Sequence, residues 1–252
     1  MNSSFLTSRP QYKGCDVITT LADFAIITYA VEPSVLAQYL PANFEPDIFT
    51  LANGSQRAFV SAVPFRDLDF RFAGLPWFKF SFGQTNYRAY VKYEGTRCVW
   101  FFGTSLATPF VNIPRHVWQL PWHWAAMSFA TQWQEGRCRQ YCLATQSSGA
   151  NVELELTADS EPMGVLDGFS SEEQTAEVLT HPLTGYFYRR DGKVGRYSVW
   201  HERLQLSRAT ASRARFQLFE ELGLITADTP IHSALVQQAT EFVVILPPQV
   251  VV

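Results

Sequence analysis

Tight-turn pairs punctuate this chain between runs of alternating apolar and polar residues. Asn53-Gly54, Glu94-Gly95, Glu135-Gly136 and Asp191-Gly192 each separate two such runs. Glycine and asparagine supply the left-handed backbone that a short hairpin loop needs, so each pair predicts two strands folded antiparallel. Pro41, Pro114 and Pro121 fall where a helix would otherwise extend, and proline removes a helical donor while clashing with the preceding turn. A chain so divided can build many short strands and only short helices.

The clearest alternation begins at Asn86. Tyr87, Ala89, Val91 and Tyr93 share one face, and Arg88, Tyr90 and Lys92 share the other. Residues 97–103 return as the partner strand. Residues 24–31 are β-branched and apolar, a strand by composition, and Glu32-Pro33-Ser34 opens a short helix that Pro41 ends. Further strands are expected at 44–50, 57–65, 123–133, 138–144, 151–157, 184–190, 194–206 and 240–246. Thr108 is a cap for a short helical turn, Ser170 with Glu173 forms a capping box, and 214–222 reads as a helix stopped by Gly223. Residues 67–84 mix Asp67, Asp69 and Arg71 with six Phe and Trp side chains, and their Gly and Pro content argues against regular structure. That segment reads as a lid over a cavity or as a plug in one end of a barrel. The plug is the more ordinary fate of buried phenylalanine.

With 252 residues, 47% hydrophobic and including seven Trp and twenty Phe, there is enough apolar material for a core and for the lining of a cavity. The net charge of −3 is spread without a basic stripe, so nucleic acid has no electrostatic footprint. No apolar run approaches the roughly 20 residues of a spanning helix. The first residues lack the pattern of a secretory leader, so a cytoplasmic protein is expected. Four cysteines (Cys15, Cys98, Cys138, Cys142) read as packed thiols, since a zinc site wants closer pairs and more ligands. No metal-binding, phosphate-loop or nucleophile-elbow motif is present.

The run NYRAYVKYEGTRCVWFFGTSLATPFVNIPRHVWQLPWHWAAM (86–127) resembles the central segment of the acetoacetate decarboxylase-like superfamily, nearest its YqjF-like branch. FAIITYAV, EPSVLAQYLPANFEPD and RAFVSAVPF carry the same resemblance toward the N-terminus. It implies one domain over 1–252: a β-dominated α+β fold in which an antiparallel sheet closes into a cone-like barrel around a small-molecule cavity, with short helices at the rim. In the superfamily's decarboxylases a Gly-Arg-Glu helical turn leads through a proline to two adjacent lysines, one of which forms a Schiff base; a second cation and an apolar pocket keep that amine neutral. Here the matching stretch is Pro114-Arg115-His116, then Pro121-Trp122-His123. Trp122 and His123 stand where the lysines belong, and neither can form a Schiff base. An arginine of those enzymes falls at Ala30, and an acidic site residue falls near Gln84 or Asn86. Classical acetoacetate decarboxylation is therefore not expected.

The residues still allow acid–base chemistry without metal or organic cofactor, on a small carbonyl- or carboxylate-bearing molecule, of lyase, isomerase or cyclase type. His123 would transfer the proton, since imidazole titrates near neutrality; its bland reading is an inert strand-edge histidine. Arg115 or Arg88 would anchor an anion and Tyr90 would donate a hydrogen bond. Trp122 would shape an apolar pocket, with Lys92, His201 and His116 as further substrate contacts. If the Arg88–Tyr90–Lys92 face points outward, it is only a solvated face. His201 shares a face with Tyr197 and Val199, and a satisfied structural histidine is its ordinary reading. A small molecule is the expected partner, with no nucleic acid and no membrane, and self-association is open. The alternative is a non-catalytic barrel that binds or carries an apolar molecule.

Overall fold

The computed structural model describes residues 9–251. The chain runs through β1 (Val17–Val31), α1 (Pro33–Ala37), β2 (Phe44–Pro46), β3 (Ile48–Thr50), β4 (Gln56–Phe72), β5 (Phe80–Tyr93) and β6 (Thr96–Leu106). A 3₁₀ turn (Pro109–Val111) capped by Thr108 and a short α2 (Asn112–Val117) lead into β7 (Trp122–Trp124). Then come β8 (Ala126–Gln134), β9 (Arg137–Gln146), β10 (Val152–Pro162), α3 (Glu172–Thr180), β11 (Thr184–Tyr188) and β12 (Val194–His201). The described chain ends with β13 (Ser207–Phe216), α4 (Gln217–Glu221) and β14 (Ile231–Val251).

Strands β1, β4, β5, β6, β11, β12 and β14 are hydrogen-bonded in that order, and β14 pairs back onto β1, so seven strands close a ring. The β-dominated, closed, cone-like sheet expected from the resemblance is what the chain forms. One pairing within the ring, β6 with β11, is parallel. It is reached by a long crossover, as parallel neighbours require. From β14 the sheet continues as an arm, β13–β10–β9–β8, and side chains of that arm pack on the outside of the ring. The ring strands are therefore covered on both faces, which explains why β1 is buried almost from end to end.

The core has two large parts, besides a small cluster of Phe82, Leu106 and Val111. Tyr29, Tyr87 and Trp100 face outward from the ring and pack with Tyr141, Leu154 and Phe216 of the arm. Phe24, Ile26, Val63, Phe65 and Phe101 face into the ring. Each fully buried aromatic side chain contributes roughly 1.5–3 kcal/mol of transfer free energy, so both parts matter to stability. Asp23 ties β1 to the arm: it is buried, accepts hydrogen bonds from Thr131 Oγ1 at 2.9 Å and Trp133 Nε1 at 2.7 Å on β8, and pairs with Arg66 on β4. Its φ of 49° lies in the left-handed region that Asp tolerates best after Gly and Asn. The β1–β4 register shifts between Ala22 and Ile27, so the inward face passes from Thr19 and Leu21 to Phe24 and Ile26.

Three local expectations are corrected. Residues 67–84 are irregular only at the tip, 73–79: β4 and β5 extend as a hairpin in which Phe70 pairs with Phe80, because alternating phenylalanines outweigh Gly74 and Pro76 at the tip and Gly83 within β5. Residues 214–216 end strand β13 and the helix after them is only Gln217–Glu221, since pairing with β10 through Phe216 overrides helix propensity. The cap of α3 is Ser171, which accepts from Gln174 N at 3.1 Å, while Gln174 Oε1 accepts from Ser170 N at 2.6 Å; the box lies one residue later than expected.

Candidate functional site

The ring encloses a cavity of about 100 Å³, built from β1, β4, β5, β6, β12, β14, Trp122 and the end of α3. One water needs roughly 10–15 Å³ of such space, so there is room for a small molecule. Most of its wall is apolar: Leu21, Phe24, Val63, Phe65, Val99 and Phe101 are among the lining residues. Gly185 completes the wall, because a Cβ there would overlap Phe101 Cε2, and this close approach lets Phe101 stack on Tyr197 at 5.6 Å between centroids.

The polar lining is small and defined. Thr19, Asp67, Gln84, Asn86, Arg88, Thr180, Tyr197 and His201 reach the cavity. Asp67 is 3% exposed. Its Oδ1 accepts from Thr19 Oγ1 at 2.9 Å and its Oδ2 has no hydrogen-bond partner. Burial pushes the carboxyl up to about 7, partly opposed by the Thr19 hydrogen bond. Arg88 Nη2 donates to Leu179 O at 2.8 Å, while Arg88 Nε is buried without a partner. Asn86 Oδ1 accepts from Gln84 Nε2 and Thr104 Oγ1, each at 2.9 Å. Burial raises the Tyr197 phenol, and the Arg88 charge opposes that shift.

Helix α3 ends at this cavity with its terminal carbonyls exposed to side-chain donors, and cations are favoured at that pole. Leu179 O takes Arg88, with Tyr90 Oη at 3.3 Å. Thr180 O lies 2.9 Å from His201 Nε2, and Glu202 O lies 2.7 Å from His201 Nδ1. His201 is 5% exposed and stacks on Phe242 at 4.4 Å. Burial lowers its pKa, with the charges of His181 and Arg88 acting in the same direction and the hydrogen bonds to the two carbonyls opposing it.

The residues singled out in the sequence divide between the cavity and the outside. Arg88, Trp122 and His201 line the cavity. Tyr90 points into the ring but lies beneath the lining, 2.9 Å from Ser61 Oγ, which is itself 2.8 Å from Thr28 Oγ1. Lys92 is drawn off to Asp47 at 2.8 Å and lines a separate surface hollow with Arg97. Arg115 lies in α2 and His116 is exposed, with its Nδ1 3.2 Å from Arg190 Nη1; neither lines the cavity. His123 does not face the chamber. Neighbours on an extended strand point to opposite sides, so Trp122 takes the inward position, and His123 turns toward Gly103 on the outer face with much of its ring exposed. Partial desolvation and the charges of Arg115 and Arg190 lower its pKa.

Asp67, Thr19 and Tyr197 were not expected here as site residues. A signal for Asp67 was present: Phe59, Ser61, Val63, Phe65 and Asp67 are one alternating face, and the strand expected over 57–65 stopped two residues short. Thr19 lies on the part of β1 that precedes Phe24. Among the described residues no cluster of three or more His, Cys, Asp or Glu side chains could hold a metal ion.

A family model described as "Uncharacterized conserved protein (COG2071)", DUF2071, matches residues 19–241. The chain belongs to the DUF2071 family. No curated protein matches its sequence. Among solved structures, the enduracididine biosynthesis enzyme MppR complexed with pyruvate superposes with a TM-score of 0.65 at 14% identity, covering 98% of this chain and 92% of that one. Acetoacetate decarboxylase from Legionella pneumophila superposes at 0.64 and 13% identity, covering 98% and 93%. An acetoacetate decarboxylase-like enzyme from Sphingomonas wittichii RW1 superposes at 0.60 and 12% identity, covering 99% and 98%. At such identities the likeness shows the fold: this DUF2071 chain has the acetoacetate decarboxylase-like architecture. No described helix is long and apolar enough to cross a membrane. Part of the N-terminal segment read above against a secretory leader, residues 1–8, lies outside the described residues.

Proposed function

We propose that this protein is a cofactor-independent enzyme acting by acid–base chemistry on a small molecule that carries a carbonyl beside a carboxylate. The observation that carries the reading is that a buried carboxyl with a free Oδ2 and a guanidinium with a free Nε both line one largely apolar cavity. Buried polar atoms without partners cost free energy, and a ligand that engages both removes that cost. Arg88 holds the substrate carboxylate. Asp67, titrating near 7, is matched to proton transfer at neutral pH. As carboxylate it takes a proton from the carbon next to the carbonyl; the C–H pair becomes the C=C bond and the carbonyl π pair moves to oxygen. Return of the proton reverses the step.

This reading moves the proton-transfer role from His123 to Asp67 and keeps Arg88 and Trp122. A Schiff base is not part of it. Lys79 pairs with Asp69, Lys92 pairs with Asp47, and no lysine lines the cavity. The partner is a small molecule, and the compartment we propose is the cytoplasm.

Exchange of the pyruvate methyl protons for deuterium in D₂O, followed by proton NMR, tests the step; pyruvate is the ligand present with MppR. Exchange should exceed the buffer rate, fall about a hundredfold or more in Asp67→Asn, and require higher pyruvate concentrations in Arg88→Met. An Asp67→Asn protein that exchanges as fast as wild type removes the proposed base. The apolar wall favours one other reading, carriage of an apolar ligand without turnover. A ligand retained through purification and unchanged on incubation, seen by native mass spectrometry, would favour it.

A further inference from the structure

A second hollow of about 160 Å³ opens beside the cavity, and its walls are apolar throughout. Phenylalanines from the β4–β5 hairpin form one side: Phe70, Phe80 and Phe82 lie within 4.9–5.6 Å of one another between centroids. Phe110 closes the other side, 5.3 Å from Phe80. The floor is core, with Phe82, Leu106 and Val111 buried, while the rim exposes Phe78 at 51%, Phe110 at 45% and Ile113 at 59%. An unfilled apolar groove with an exposed aromatic rim is unfavourable in water unless something covers it.

Its position identifies what covers it. The groove and the cavity share Phe70, Trp122 and Leu246, so they meet along one wall. On the cavity side lies Arg88 with its free Nε. The arrangement is polar at one end and apolar at the other, and Trp122 borders both halves.

We propose that the groove is the tail subsite of the cavity, and that the ligand is a monocarboxylate bearing an apolar chain: its carboxylate on Arg88, its chain passing Trp122 and Phe70, its end among Phe80 and Phe110. The inference rests on the function proposed above and narrows the substrate class from small oxo acids to amphipathic ones. The hairpin that carries the phenylalanines thereby acts neither as a plug nor as a lid; it is one wall of an elongated site.

Binding of acetate, butanoate, hexanoate and octanoate, measured by titration and ligand-observed NMR on the full chain, tests it. Each added methylene should tighten binding by about fourfold while the groove fills, so octanoate should exceed butanoate by about a hundredfold or more. Phe110→Ser and Ile113→Ser alter exposed rim residues and leave the buried floor intact. They should weaken octanoate by about tenfold and leave butanoate unchanged, whereas Arg88→Met should weaken every member. A flat chain-length series overturns the tail subsite while leaving the Asp67 exchange assay free to succeed. A steep series indifferent to Arg88→Met overturns the spanning ligand. Light scattering supplies the remaining arm: a dimer that Phe110→Ser dissociates would give the groove to a second copy of this chain and overturn the inference.

Discussion

Thr19 on β1 donates its hydroxyl to Asp67 Oδ1 on β4 at 2.9 Å, with both side chains buried and Asp67 Oδ2 left without a partner. One hydrogen bond orients the carboxyl, and the rest of its hydration is gone. The structure carries a group that folding disfavours in its charged form, and it places that group against a cavity.

This gives Asp67 a signature in stability. Its folded pKa, about 7, lies above its ordinary value of 3.8, so the folded state binds more protons between those pH values. The wild type should therefore be most stable, relative to a neutral side chain at this position, below about pH 4. That stability should fall as pH rises toward 7 and level off above it. Asp67→Asn should flatten the slope and be more stable than wild type at pH 8, by on the order of 2–4 kcal/mol. Denaturant melts at pH 5 and pH 8 check this; equal slopes in both proteins would mean that Asp67 is not the titrating group.

His123→Ala should leave melting temperature and pyruvate exchange as they are. The side chain is exposed, faces away from the cavity and leaves no buried donor behind, so a change within about 0.5 kcal/mol is expected. A hundredfold loss of exchange would restore the role that its place in the sequence first implied.

Asp23→Ala should be among the most damaging single changes. It strands the Thr131 hydroxyl and the Trp133 indole N–H, removes the partner of Arg66 and puts alanine at φ 49°. Loss of a buried, multiply bonded carboxylate typically costs about 3–5 kcal/mol. Asp23→Asn, which keeps an acceptor and tolerates the same backbone, should cost less; equal losses from both variants in urea unfolding would deny the hydrogen bonds their part.

Gly185→Ala should destabilise by roughly 1–3 kcal/mol or more, because its methyl would overlap the Phe101 ring while β11 is held in register by β6 and β12. Phe101→Leu in the same chain should recover part of the loss. A double-mutant cycle by thermal melting measures the coupling, and a value near zero would show that the ring moves aside freely.

Much of this molecule was legible along the chain. Alternation correctly grouped Tyr87, Ala89 and Val91 on one face of β5 and Arg88 with Tyr90 on the other, and it grouped Tyr197, Val199 and His201 on β12. Side-chain period two is a local property of extended backbone, so no partner strand is needed to read it. Local sequence also marked the hairpin turns and the Thr108 cap.

Which face looks inward is another matter. It depends on β14 pairing with β1 across more than 200 positions, and on the arm β13–β10–β9–β8 covering the outside, and neither is encoded within any one strand. The positive φ at Asp23, the irregular register between Asp67 and Phe70, and the three-residue β7 each change or select the face that side chains occupy. Hence Trp122 entered the chamber and His123 did not, and Asp67, read as part of an irregular segment, became the buried carboxyl. Periodicity sorted the side chains into sets; long-range strand closure chose which set would meet a ligand, because burial is a property of the assembled sheet.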